Sequence, residues 1–185
     1  MTTTRTATKQ RAQTFSDPSY GFTFSYPANW SVAEKGAAVV IRPRSQRGRQ
    51  GCEIIVDKMS AAEFAEVYGP APVSAGAREF AKVYLNRVRE EGASRRIRGL
   101  ASSGPRARKC GDMDAYQVSV SYSHHARAAS VLQEYSRSAP QQKKVVFATA
   151  AGFVYRLENH CKGPAHLADK HAAAFAEVLK SFRVG

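Results

Sequence analysis

KVVFATAAGFVYRLEN, residues 144–159, holds two strands around one turn. Lys144–Ala150 forms the first, Gly152 supplies the turn, and Phe153–Asn159 forms the second. Successive side chains on a strand alternate, so Phe153, Tyr155 and Leu157 face one way and Val154, Arg156 and Glu158 the other. Upstream, Ala115–Tyr122 repeats the pattern, with Tyr116, Val118, Val120 and Tyr122 alternating with Gln117, Ser119 and Ser121. Gly21–Tyr26 does the same through Phe22, Phe24 and Tyr26 before Pro27 stops it. Ala37–Ile41 and Cys52–Val56 read as further strands, and Ile97–Leu100 as a short edge strand. The strands carrying Phe22, Tyr116, Val145 and Phe153 are expected in one sheet. Ala101–Asp114 and Ser136–Gln142 read as loops, and His124–Gln142 has no clear period.

Three helices fit between the strands. Lys58–Tyr68 carries Ser60 and Glu63 at the spacing of a capping box. From Ser74 to Glu91, residues Ala77, Phe80, Ala81, Tyr84, Leu85 and Val88 form one apolar stripe, and Gly92 is placed to end the helix. The third runs over about Pro164–Ser181, with Leu167, His171, Ala174, Phe175, Val178 and Phe182 as its stripe. Trp30 reads as a lid on the core. Few helices, set apart from antiparallel-looking strands, make the fold α+β.

The chain has 185 residues, 43% of them hydrophobic, enough for one domain to bury its own core. Met1–Gln13 holds no acid and no bulky apolar side chain, so residues 1–14 are assigned to a basic disordered or processed tail and 15–185 to the domain. No apolar run approaches the ~20 residues that cross a bilayer.

In order and content these blocks resemble the PsbP family. GFTFSYPANW, Gly21–Trp30, is similar to that family's opening strand and its YP…W turn. CEIIVDKMSAAEF, Cys52–Phe64, matches its strand, polar turn and short helix, and MDAYQVSVSY, Met113–Tyr122, a later aromatic strand. KVVFATAAGFVYRLENHC and a closing helix with SFRV, Ser181–Val184, complete the resemblance over about Phe15–Val184. It implies an α/β/α sandwich with a central antiparallel sheet. It also implies a non-enzymatic extrinsic subunit or assembly factor, docked on the lumenal face of a chloroplast photosystem and peripheral to the thylakoid membrane. The oxygen-evolving side of photosystem II is the best-known such setting. A Ran-binding family shares the fold, so the alternative is a basic binding module of that kind, or an accessory subunit of a mitochondrial or ribosomal assembly.

Little in the sequence has the form of a reaction centre. There is no G-x-S-x-G elbow and no phosphate-binding glycine loop. His124 and His125 are adjacent, as are His160 and Cys161, so on a strand each pair diverges. No cofactor is expected. Asp112 and Asp114 are the carboxylates best spaced for a calcium-like cation, and they read more simply as turn residues. Cys52, Cys110 and Cys161 read most simply as three buried thiols with at most one bridge among them; in an oxidising lumen the favoured pair is Cys110–Cys161, since both lie at strand ends or in adjoining loops.

The charge is the main functional signal: 28 Lys and Arg stand against 15 Asp and Glu, a net +13. It is clustered. Arg42, Arg44, Arg47 and Arg49 crowd one predicted loop, Arg95, Arg96 and Arg98 follow the long helix, and Arg106, Arg108 and Lys109 fill the next loop. Arginine forks suit carboxylates or phosphates. These stretches contain no aromatic side chain on which a base could stack, which disfavours nucleic acid and favours an acidic face of a larger protein complex.

Overall fold

The computed structural model describes residues 12–46, 51–94, 97–123 and 140–185. Two sheets form. Strands β1 (Ala12–Asp17), β2 (Phe22–Pro27) and β10 (Arg183–Val184) make a small sheet in the order β1-β2-β10. Strands β3 (Trp30–Lys35), β4 (Ala38–Pro43), β5 (Gly51–Ser60), β6 (Arg98–Cys110), β7 (Met113–Ser123), β8 (Pro140–Ala150) and β9 (Phe153–Lys162) make a seven-stranded antiparallel sheet in the order β3-β4-β5-β9-β8-β7-β6. Helices are α1 (Ala61–Tyr68), α2 (Ala77–Ser94) and α3 (Ala165–Ser181).

The layers follow from the side-chain alternation. Ile54, Val56, Val146, Tyr155 and Leu157 leave one face of the large sheet and meet Phe175, Val178, Phe182 and the small sheet's Phe15, Phe22 and Phe24. Phe182 joins the layers, 5.5 Å from the Phe22 ring and 5.6 Å from Tyr155. Val118, Val120, Val145 and Phe147 leave the other face and meet Phe64 of α1 and Phe80, Tyr84 and Val88 of α2. Helices thus flank the large sheet on both faces, as expected of an α/β/α sandwich. The capping box forms: Ser60 accepts from the Glu63 N–H, and the Glu63 carboxylate accepts from the Ser60 N–H.

Several sequence expectations need correction. Phe22 lies in the small sheet, apart from Tyr116, Val145 and Phe153; its strand is as amphipathic as theirs, but period two does not encode which sheet a strand joins. β1 starts at Ala12, inside the stretch assigned to the tail, and only Phe15 of its six residues is buried, so its apolar signal is faint. β3 begins at Trp30 itself, and no strand is expected there from the sequence. Ala101–Cys110 is strand rather than loop, and β8 starts at Pro140. Gly92 lies within α2 rather than ending it. A Cβ there would meet Leu100 Cδ2 at 2.1 Å, so the Leu100 side chain packs directly over the bare glycine where helix meets strand.

The disulfide also differs from expectation. Cys52 and Cys161 face each other across the β5–β9 pairing and are bridged, while Cys110 is a buried free thiol. Cys110 sits on β6, three strands from β9, roughly 14 Å at the usual strand spacing and too far for a bridge. Burial pushes its thiol up to about 12, so it stays protonated.

Candidate functional site

The β6–β7 hairpin is the candidate site. Its turn is Cys110–Gly111–Asp112–Met113, with Gly111 at φ +56°. The Gly111 N–H donates to the Leu179 carbonyl at 2.6 Å, and a Cβ there would strike the Phe182 carbonyl at 2.1 Å. Glycine is required twice, by the backbone angle and by this approach. Arg183 reaches Asp112 at 3.5 Å, so the end of α3 and the SFRV segment clamp the turn. Held in this way, Arg106, Ala107, Arg108 and Lys109 project from the outermost strand, all exposed. Lys109 pairs with Asp114 across the hairpin at 2.7 Å, an exposed contact worth at most ~1 kcal/mol. Both carboxylates considered for a cation, Asp112 and Asp114, are thus engaged by side-chain cations.

The remaining basic residues are not all gathered here. Arg42 belongs to β4, where its Nε donates to Glu53 Oε2 at 2.7 Å and a second guanidinium nitrogen contacts the same oxygen. It is partly a structural residue, against the expectation of a free loop position. Arg44 donates from Nε to the Trp30 carbonyl at 3.1 Å. Arg42 and Arg106 stand five strands apart, roughly 24 Å, on opposite sides of the sheet. Arg98 pairs with Ser123 in the β6–β7 ladder. Arg47, Arg49, Arg95, Arg96, His124 and His125 lie outside the described residues.

A second polar feature lies inside. On the α1/α2 face, Glu53 and Asp57 of β5, Arg156, Glu158 and His160 of β9, and Gln141 and Lys143 of β8 form one network. Apart from Arg156 these residues are buried, and the Arg156 side chain is only 16% exposed. Lys143 holds Glu158 at 2.7 Å, and Arg156 holds Asp57 at 2.6 Å while contacting the Tyr68 hydroxyl. His160 Nε2 lies 2.9 Å from Gln141 Oε1, which also accepts from Tyr122. Burial alone would raise the Glu158 carboxyl, but Lys143 and Arg156 outweigh it and hold it down at about 2. Burial and the neighbouring Lys143 push His160 down to about 3, so the ring is neutral at ordinary pH. The sequence reading placed Arg156 and Glu158 together on one face without expecting them inside. The signal was there: R-x-E-x-H on a strand whose opposite face is apolar, with further strands on both sides. His160 and Cys161 do diverge, one into this network and one into the disulfide. Among the described residues, no group of three or more His, Cys, Asp or Glu side chains is placed to hold a metal ion.

Known structures place this architecture. No family model matches the chain, and no curated protein matches it by sequence. The solution structure of cyanobacterial PsbP (CyanoP) from Synechocystis sp. PCC 6803 matches over 100% of this chain and 99% of its own, at 17% identity and TM-score 0.57. In fold, the chain is similar to PsbP. The Saccharomyces cerevisiae Ran-binding protein Mog1p matches over 95% of this chain and 96% of its own, at 9% identity and TM-score 0.53. A Mog1 E65A mutant matches at 10% identity and TM-score 0.54. The expected α+β class and the PsbP-like arrangement hold. Among the described residues, no helix is long and apolar enough to cross a membrane.

Proposed function

We propose that this protein is a non-enzymatic, PsbP-like extrinsic subunit or assembly factor that docks on the lumenal face of a chloroplast photosystem. The supporting observation is the exposed basic edge of β6, fixed by α3 on a fold similar to PsbP over the whole chain. A net charge of +13 steers such a surface toward an acidic protein face and makes the encounter sensitive to salt. The Cys52–Cys161 disulfide fits an oxidising compartment such as the thylakoid lumen, and favours this reading over a Ran-binding-like role in a reducing one. The partner is a protein complex and the association is peripheral.

The test is reversal of Arg106, Arg108 and Lys109 to Glu, followed by co-sedimentation with salt-washed photosystem membranes. Binding of the parent protein should fade as salt shortens the screening length below ~10 Å, and the reversed protein should not bind at low salt. These side chains are exposed and away from the core, so the reversal should leave stability within about 1 kcal/mol. Retained binding by a folded reversed protein would refute the docking site.

A further inference from the structure

The open side of β6 shows a backbone pattern as well as a charge pattern. Cys110 faces Met113 across a two-residue turn. In such a hairpin the flanking residues exchange both backbone hydrogen bonds, and the alternation then runs down the strands. Cys110, Arg108 and Arg106 therefore turn their N–H and C=O groups toward β7, and Lys109 and Ala107 turn theirs outward. Among the described residues, β6 is the outermost strand of the sheet on this side. The register shift between Ser103 and Arg106, with Pro105 inside it, bounds the usable stretch at the other end.

An open edge of this kind ordinarily invites pairing with a second copy. Here it would set Arg106, Arg108 and Lys109 beside the same cations of its twin, and like charges across a strand pair repel. An acidic strand meets the reverse situation. We propose that the outward edge of β6 at Ala107 and Lys109 receives an extended acidic segment of the partner protein as an added strand, its alternate carboxylates lying beside Arg106 and Arg108, which share one face of the sheet. The proposal rests on the docking function above and specifies its mode: backbone pairing selected by charge.

The probe is a capped peptide of about nine residues with Glu at alternate positions and Val or Thr between them, long enough to span the four exposed residues. Its N-methylated form, blocked at alternate amides, keeps the charge and cannot pair. The parent peptide should slow amide exchange at Ala107 and Lys109 and leave Arg106 and Arg108, already paired to β7, unchanged. N-methylation should weaken binding about tenfold, the loss of one or two interfacial hydrogen bonds. Ala107→Pro should weaken it similarly, because that N–H is not used within the sheet; circular dichroism and melting establish that the variant folds. No binding by the peptide, or equal binding by its N-methylated form with exchange unchanged, would overturn strand addition. If the Glu reversal still abolishes membrane docking, the docking site survives that failure. If the reversal has no effect on docking, the site itself is wrong.

Discussion

Strands β5 and β9 run side by side through the middle of the large sheet, yet their two faces are built differently. Toward α3 they present Ile54, Val56, Tyr155 and Leu157, closed at one end by the Cys52–Cys161 bridge. Toward α1 and α2 they present Glu53, Asp57, Arg156, Glu158 and His160, one residue out of step with the apolar set. The first face depends on apolar area and a covalent link, which pH barely touches. The second depends on ion pairs taken out of water, whose value changes with every proton gained. Neighbouring positions on one strand thus carry two different kinds of stability.

The largest effect should come from the covalent link. The bridge joins residues 109 apart, and on the chain-entropy model a ring of that size is worth about 4–5 kcal/mol. Replacing Cys52 and Cys161 by Ser should lower urea-derived stability by that order and leave its pH dependence unchanged. A loss below about 1 kcal/mol would mean that pairing of β5 with β9 already constrains the unfolded chain.

Phe175→Ala should cost about 3–5 kcal/mol, as for other buried aromatic truncations, because this ring is 3% exposed between α3 and the large sheet. The loss should be equal at neutral and mildly acid pH. An acid-dependent loss would erase the distinction between the two faces.

The ionic face should show itself on acidification. His160 stays neutral in the fold down to about 3, whereas the unfolded ring takes up a proton near 6.5. The unfolded state therefore binds more protons across that window, and stability falls with pH. Between pH 7 and pH 4.5 the loss from this ring is roughly 2–3 kcal/mol. Glu158, held at about 2 against an ordinary 4.5, adds a loss as pH drops further. His160→Asn should flatten the upper part of the curve. An unchanged slope in this variant would show that His160 does not carry the acid response.

Much of this architecture was legible because its signals are local. The strands through Tyr116 and Phe153 alternate cleanly, Ser60 and Glu63 mark a helix start, and the α2 stripe repeats at helical spacing. β6 was hidden because its Gly, Ser, Pro and Arg content resembles a loop, and those residues suit an edge strand with a bulge and charges. The basic residues were readable as a set, but their division between β4 and β6 depends on strand order, which no local pattern holds. The inner network was missed for a similar reason. Arg156 and Glu158 look like solvent-facing positions until α1 and strands on both sides enclose them. The disulfide required knowing which strands become neighbours.

The Cys52–Cys161 bridge closes a covalent ring around α1, α2 and β6 to β8, and leaves β1 to β4, α3 and β10 outside it. A protease that cuts the backbone once anywhere inside that ring leaves a single molecule. Its two pieces stay tied through the same pair of strands that organises the sheet. On a gel such a nick would go unseen until a reductant is added. In an oxidising compartment, the protein can therefore be cleaved in the loops between those elements and still keep both halves of its fold within reach of each other.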